Sequence, residues 1–110
     1  MLSLRLYMAQ RLSAMVMGPL VLGHLALMIY AIQGGLSSAE ILSRTRGSLA
    51  WLLFYGTLVL AVSIHAAIGL RVILHEVTGL KGRALGAFTW GFLLILTALG
   101  ARAVLAVTFL

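Results

Sequence analysis

The fold is decided by residues 62–77, Val-Ser-Ile-His-Ala-Ala-Ile-Gly-Leu-Arg-Val-Ile-Leu-His-Glu-Val. The stretch opens as an apolar run, yet it carries His65 in its middle and Arg71, His75 and Glu76 toward its end. A polar side chain at membrane depth is costly unless something pairs with it, so an intramembrane histidine reads as functional by default. His65 and Gly69 stand four apart and share one helical face. A glycine beneath an imidazole leaves a patch free of side chain, where a planar group can lie against the backbone. Arg71 follows His65 at ~9 Å along the axis, counting 1.5 Å per residue.

The rest of the chain has the same character. Of 110 residues, 63% are hydrophobic and 9% charged, and the mean hydropathy is +1.15. These values exclude an ordinary soluble domain and predict an all-α integral membrane protein. One transmembrane domain over 1–110 is expected, with too few helices to enclose much core, so partner helices should complete a larger anchor bundle. Cysteine is absent, which removes disulfides, iron–sulfur ligation and thiol chemistry from this chain. The acids are Glu40 and Glu76 alone, which closes hydrolysis by paired carboxylates. Eight basic residues on so apolar a chain point to orientation in the bilayer and to acidic cofactor or lipid groups, not to nucleic acid.

Three spans are predicted, over about 12–32, 48–76 and 84–108. Residues 1–11 read as an interfacial lead-in with Arg5, Tyr7, Gln10 and Arg11 at headgroup level. The first span carries only Ser13 and His24 as polar side chains, and Gly18-Pro19 should loosen or kink it. It is too long for a signal-peptide core and two more spans follow, so it reads as mature structure. Gln33-Gly34-Gly35 breaks it, and Ser37-Ser38-Ala39-Glu40 has the form of a capped helix start, predicting a short surface helix that ends near Gly47. Trp51, Phe54 and Tyr55 form an aromatic belt at the start of the second span. The loop Thr78–Arg83 is glycine-punctuated and basic. In the third span, Gly82/Gly86 and Ala87/Gly91 suit close helix contact, and Arg102 can snorkel at the far side. Five basic residues (Arg5, Arg11, Arg71, Lys81, Arg83) against three (Arg44, Arg46, Arg102) place the N-terminus in the cytoplasm.

Counted from Arg11 and Glu76, His24 lies ~20 Å and His65 ~16 Å into the membrane. Each offers a neutral imidazole nitrogen suited to a haem iron; each could equally hydrogen-bond a neighbouring helix or line a polar cavity. Arg71 suits a haem propionate or marks the interface. Arg11, Gln10, Ser13 and Tyr7 could donate to a quinone carbonyl or anchor at the headgroups. His75 and Glu76 are headgroup residues or a proton gate.

The segment Ile64-His65-Ala66-Ala67-Ile68-Gly69-Leu70-Arg71, with Glu76 beyond it, resembles the haem-binding helix of the membrane anchor subunits of succinate dehydrogenase and fumarate reductase. Gln10-Arg11-Leu12-Ser13-Ala14 is similar to the quinone-site motif of that family, with Ala14 in place of glycine. Gly23-His24 resembles the first-helix haem ligand of its two-haem anchors. The resemblance spans nearly the whole chain, although the third span adds only hydrophobicity.

It implies a membrane anchor and cytochrome b subunit of a succinate:quinone oxidoreductase, without catalysis of its own. The partners implied are a flavoprotein subunit, an iron–sulfur subunit and a second anchor or second copy of this chain, in a bacterial or archaeal cytoplasmic membrane. Electrons would pass between the iron–sulfur partner and a membrane quinone. Haem b would be held through His24 and His65 with Arg71 on a propionate, and Arg11, Ser13 and Glu76 would contribute to the quinone pocket. Val77 stands where some anchors have tyrosine. Counting from the span ends puts the two histidines only ~4 Å apart in depth, which leaves one shared iron possible; the family pattern favours two haems, with His65 on the cytoplasmic one and His24 on the outer. The rival readings are a haem-free structural anchor, whose histidines only bond between helices, and a small transport component using them as a proton relay.

Overall fold

The computed structural model describes residues 3–109. They form four helices: α1 (Leu4–Gly34), α2 (Ser38–Thr45), α3 (Leu49–Thr78) and α4 (Gly82–Thr108). Three are long and apolar enough to cross a membrane, and the 48 Å long axis matches a bilayer with its headgroup layers.

The spans fall where the apolar runs put them, with one difference. The expected lead-in is not separate: the Ser3 hydroxyl accepts from the Leu6 N–H at 3.3 Å, and α1 runs unbroken from Leu4 through Pro19 to Gly34. Backbone groups have no water to turn to within a bilayer, so helix persists wherever it can, and one missing proline donor does not end it.

The short surface helix is α2, closed at its start by reciprocal bonds. The Ser37 hydroxyl accepts from the Glu40 N–H at 3.2 Å, and the Glu40 carboxylate accepts from the Ser37 hydroxyl at 2.8 Å and its N–H at 3.1 Å. Those bonds hold the Glu40 carboxyl below its ordinary range, with Arg44 adding to the effect. At the other end of the bundle, Gly79 takes the left-handed conformation (φ 75°) and donates to the His75 carbonyl. The His75 ring also donates from Nδ1 to the Leu80 carbonyl at 2.9 Å. His75 thus ties the α3–α4 turn, a role its sequence position did not suggest.

Helix α3 is the axis of the molecule. Helices α1 and α4 each pack along it and scarcely meet one another, while α2 touches α4. Of the most apolar 18-residue window, 22% is buried within the chain for α3, 11% for α4 and none for α1. Ala61, Ser63 and Ala67 are among the buried positions of α3; small side chains let both neighbours approach. The small residues expected to do this in the third span do not. Among the described residues, a Cβ at Gly82, Gly86 or Gly91 would meet nothing within 4 Å, and the close approach is at Gly100, where a Cβ would overlap the Val59 side chain. In a span that is apolar all round, spacing alone cannot separate the lipid face from the packed one.

Helix α2 is fastened to the end of α4 by polar bonds. The Thr45 hydroxyl donates to the Val107 carbonyl at 2.6 Å, and the Gly47 N–H donates to the Thr108 carbonyl.

Candidate functional site

The seam between α1 and α3 carries both intramembrane histidines, and four pairings fix its register. The Gln10 amide lies over Gly69, its nitrogen 3.5 Å from where a Cβ would stand. Ser13 meets His65. Gly23 faces the Phe54 ring, and His24 meets Tyr55. The helices are therefore antiparallel. His65 is level with Ser13 and His24 with Tyr55, ten residues and ~15 Å apart along α3. The ~4 Å separation counted from the span ends is wrong, because α1 begins two turns before its predicted span. That distance rules out a single iron ligated by both rings.

Around His65 the seam is polar and ordered. Its Nδ1 lies 3.4 Å from the Gln10 carbonyl oxygen and 3.4 Å from Ser13 Oγ, and the buried Ser13 hydroxyl donates to that same carbonyl at 2.9 Å. The carbonyl can only accept, which assigns the proton to Nδ1 and the lone pair to Nε2. Among the described residues Nε2 has no hydrogen-bond partner. The side-chain-free patch expected at Gly69 is partly taken by the Gln10 amide, whose Oε1 is buried with no partner among the described residues.

His24 sits differently. Its ring stands edge-on to Tyr55 at 5.9 Å between centroids, and its Nδ1 is buried with no hydrogen-bond partner among the described residues. It opens onto a cavity of about 430 Å³ lined by Met28, Tyr30, Trp51, Tyr55 and Arg44 among others. The Arg44 guanidinium reaches that wall from α2, lying 5.5 Å from the centre of the Tyr30 ring and donating to the Gly35 carbonyl at 3.3 Å.

The end holding the start of α1 carries a cleft of about 690 Å³ lined by Tyr7, Arg71, His75, Glu76 and Lys81 with apolar neighbours. Arg71 donates from Nη1 to Thr89 Oγ1 at 3.3 Å, which secures one edge of the guanidinium to α4. Thr89 is one of three threonines in the third span, with Thr97 and Thr108, and nothing in the sequence sets it apart from them. Arg11 is exposed and does not line this cleft, so the fold does not bring it to Glu76. Ser13 is turned inward to His65. Tyr55, read as belt, is the neighbour of His24.

Among the described residues no three His, Cys, Asp or Glu side chains converge on a metal-sized point. A haem iron asks the protein only for axial ligands, so lone histidines are compatible with it. Both rings fit that use: one has its Nδ1 committed and Nε2 without a partner, the other stands with an orphaned nitrogen beside an apolar, aromatic-lined cavity.

The family model for the succinate dehydrogenase/fumarate reductase transmembrane subunit matches residues 2–107. The chain belongs to that family. It is an integral membrane subunit of such a complex, built on three apolar helices. Searches of curated proteins and of solved structures returned no match.

Proposed function

We propose that this subunit anchors a succinate:quinone oxidoreductase in the membrane and, as its haem b subunit, carries electrons between the iron–sulfur partner and a membrane quinone. The observation that carries the reading is the state of His65: a ring deep in a membrane helix with Nδ1 turned to two acceptors and Nε2 without a partner. Metal-binding histidines are typically oriented through the other nitrogen in this way. Haem b, when bound, supplies a one-electron relay within the apolar layer. His65 and His24 are the residues that would hold iron, one haem each, with the remaining ligands from a second anchor or a second copy of this chain. Arg71, tied to Thr89 on one side, has donors left for a propionate. Arg11 and Glu76 stand at the end facing the iron–sulfur subunit and contribute to the quinone pocket from two separate surfaces.

The exposed side chains Leu22, Leu25, Ile29 and Ile32 on α1 suit the partner helices that complete such an anchor. The N-terminus is cytoplasmic and the membrane that of a bacterium or archaeon, on the basic-residue count and the family pattern. One observation favours the haem-free alternative: the bonds at His65 Nδ1 are also what a purely structural interhelical histidine would make. A reduced-minus-oxidised visible spectrum of the purified complex separates the two. A b-type spectrum that loses a component in His65→Ala is expected; a complex without haem would overturn the cytochrome reading.

A further inference from the structure

We infer that Ser13 is a positioning residue for His65: its hydroxyl, together with the Gln10 carbonyl, fixes the imidazole in the Nδ1–H form and aims Nε2 away from the α1–α3 seam as the ligating nitrogen. The inference rests on the haem reading of His65 and assigns Ser13 to the haem, not to the quinone.

The distances assign the protons, the Ser13 hydroxyl going to the shorter of its two contacts. Ser13 Oγ donates its hydrogen to the Gln10 carbonyl at 2.9 Å, so toward the ring it presents only lone pairs. The Gln10 carbonyl presents only lone pairs as well. Nδ1 lies 3.4 Å from both oxygens, so the ring faces two acceptors and must supply the hydrogen they share. Both contacts are long for hydrogen bonds, and two together hold the ring against rotation better than either alone. Ser13 is 7% exposed and faces α3, which takes it away from the surface carrying Arg11. An acceptor on the distal nitrogen raises the basicity of a ligating histidine. The more basic ligand favours the ferric state, so removing the serine oxygen should raise the midpoint potential of the His65 haem.

The test is a redox titration of the assembled complex carrying Ser13→Ala, with Ser13→Thr and Ser13→Val as a pair of similar shape. In Ser13→Ala and Ser13→Val the transition lost in His65→Ala should move to higher potential and the other transition should stay. Loss of a partner of this kind typically weakens a metal site about tenfold or more, and each tenfold change in the relative affinity for the two oxidation states is about 59 mV for one electron. Ser13→Thr, which keeps the hydroxyl, should retain the native potential. If all three variants keep the native potential and only the KM for quinone rises, the inference fails while the haem reading stands. Threonine and valine variants shifting alike would also overturn it, since shape and not the oxygen would then be responsible. A native complex lacking a haem that depends on His65 overturns the haem reading beneath it.

Discussion

The two histidines sit on one seam, on facing helices, in different chemical surroundings. His65 meets a serine hydroxyl and a backbone carbonyl, with its Nδ1 engaged. His24 meets the edge of Tyr55 and an aromatic-lined cavity, with its Nδ1 buried and unpaired. A buried polar atom without a partner is costly, and among the described residues each site holds one, the Gln10 amide oxygen near His65 and Nδ1 of His24 itself. The His65 ring has its Nδ1 satisfied within the chain, while that of His24 awaits something from outside it. The difference teaches that the two positions depend on the partner helices unequally.

The strongest way to break this comparison is to remove each ring. His65→Ala should abolish one redox transition and leave the second, and His24→Ala should do the reverse. A native complex with one haem, lost in both variants, would sink the separate-site assignment. A steric probe sharpens it next. Gly100 lines the same region as His24 and Tyr55, and Val at position 100 should wedge α4 from α3 at Val59, at a cost of about 1–3 kcal/mol as overpacking usually brings. Complex yield in detergent on heating should fall, and the His24 transition should broaden or shift while the His65 transition holds. Equal disturbance of both would mean that the two ends are mechanically one.

Smaller is the effect expected at Arg11. Arg11→Ala should lower the ratio of quinone reduction to artificial-acceptor reduction several-fold; a proportional loss of both activities would point to assembly instead. The least perturbing test fixes which end faces the cytoplasm. With no native thiol in the chain, single cysteines at Ser38 and Lys81 can be labelled in sealed vesicles. Lys81→Cys should react from the cytoplasmic side and Ser38→Cys from the opposite side, a choice that leaves the Glu40 capping bonds intact. Reversed labelling would move the quinone site to the other face.

The number and order of the long helices were legible in the sequence, because apolar runs of membrane length admit little else. The surface helix was legible too, through Ser37 and Glu40. Hidden was the register. Depths counted from span ends assume that each span starts at the interface, and α1 starts two turns earlier, which brings Ser13 to His65 and sends His24 to Tyr55. The α4 contact was also hidden: Gly86, Gly91 and Gly100 look alike in sequence, and among the described residues a Cβ at Gly100 would meet Val59 while one at Gly86 or Gly91 would meet nothing within 4 Å. The place of His75 near the helix end suggests a headgroup residue or a proton gate, while its ring nitrogen closes a turn.

That α1 and α4 both lean on α3 and scarcely on each other also sets an order in time. Helix α1 is made first, with Gln10, Ser13 and His24 on a face that has no cover until α3 follows roughly 40 residues later. At about 5–20 residues per second that delay is on the order of 2–8 s. During it the nascent chain carries an open polar stripe in the bilayer, the form most exposed to membrane proteases. Slowing translation between α1 and α3 should therefore lower the yield of finished subunit more than an equal pause after α3.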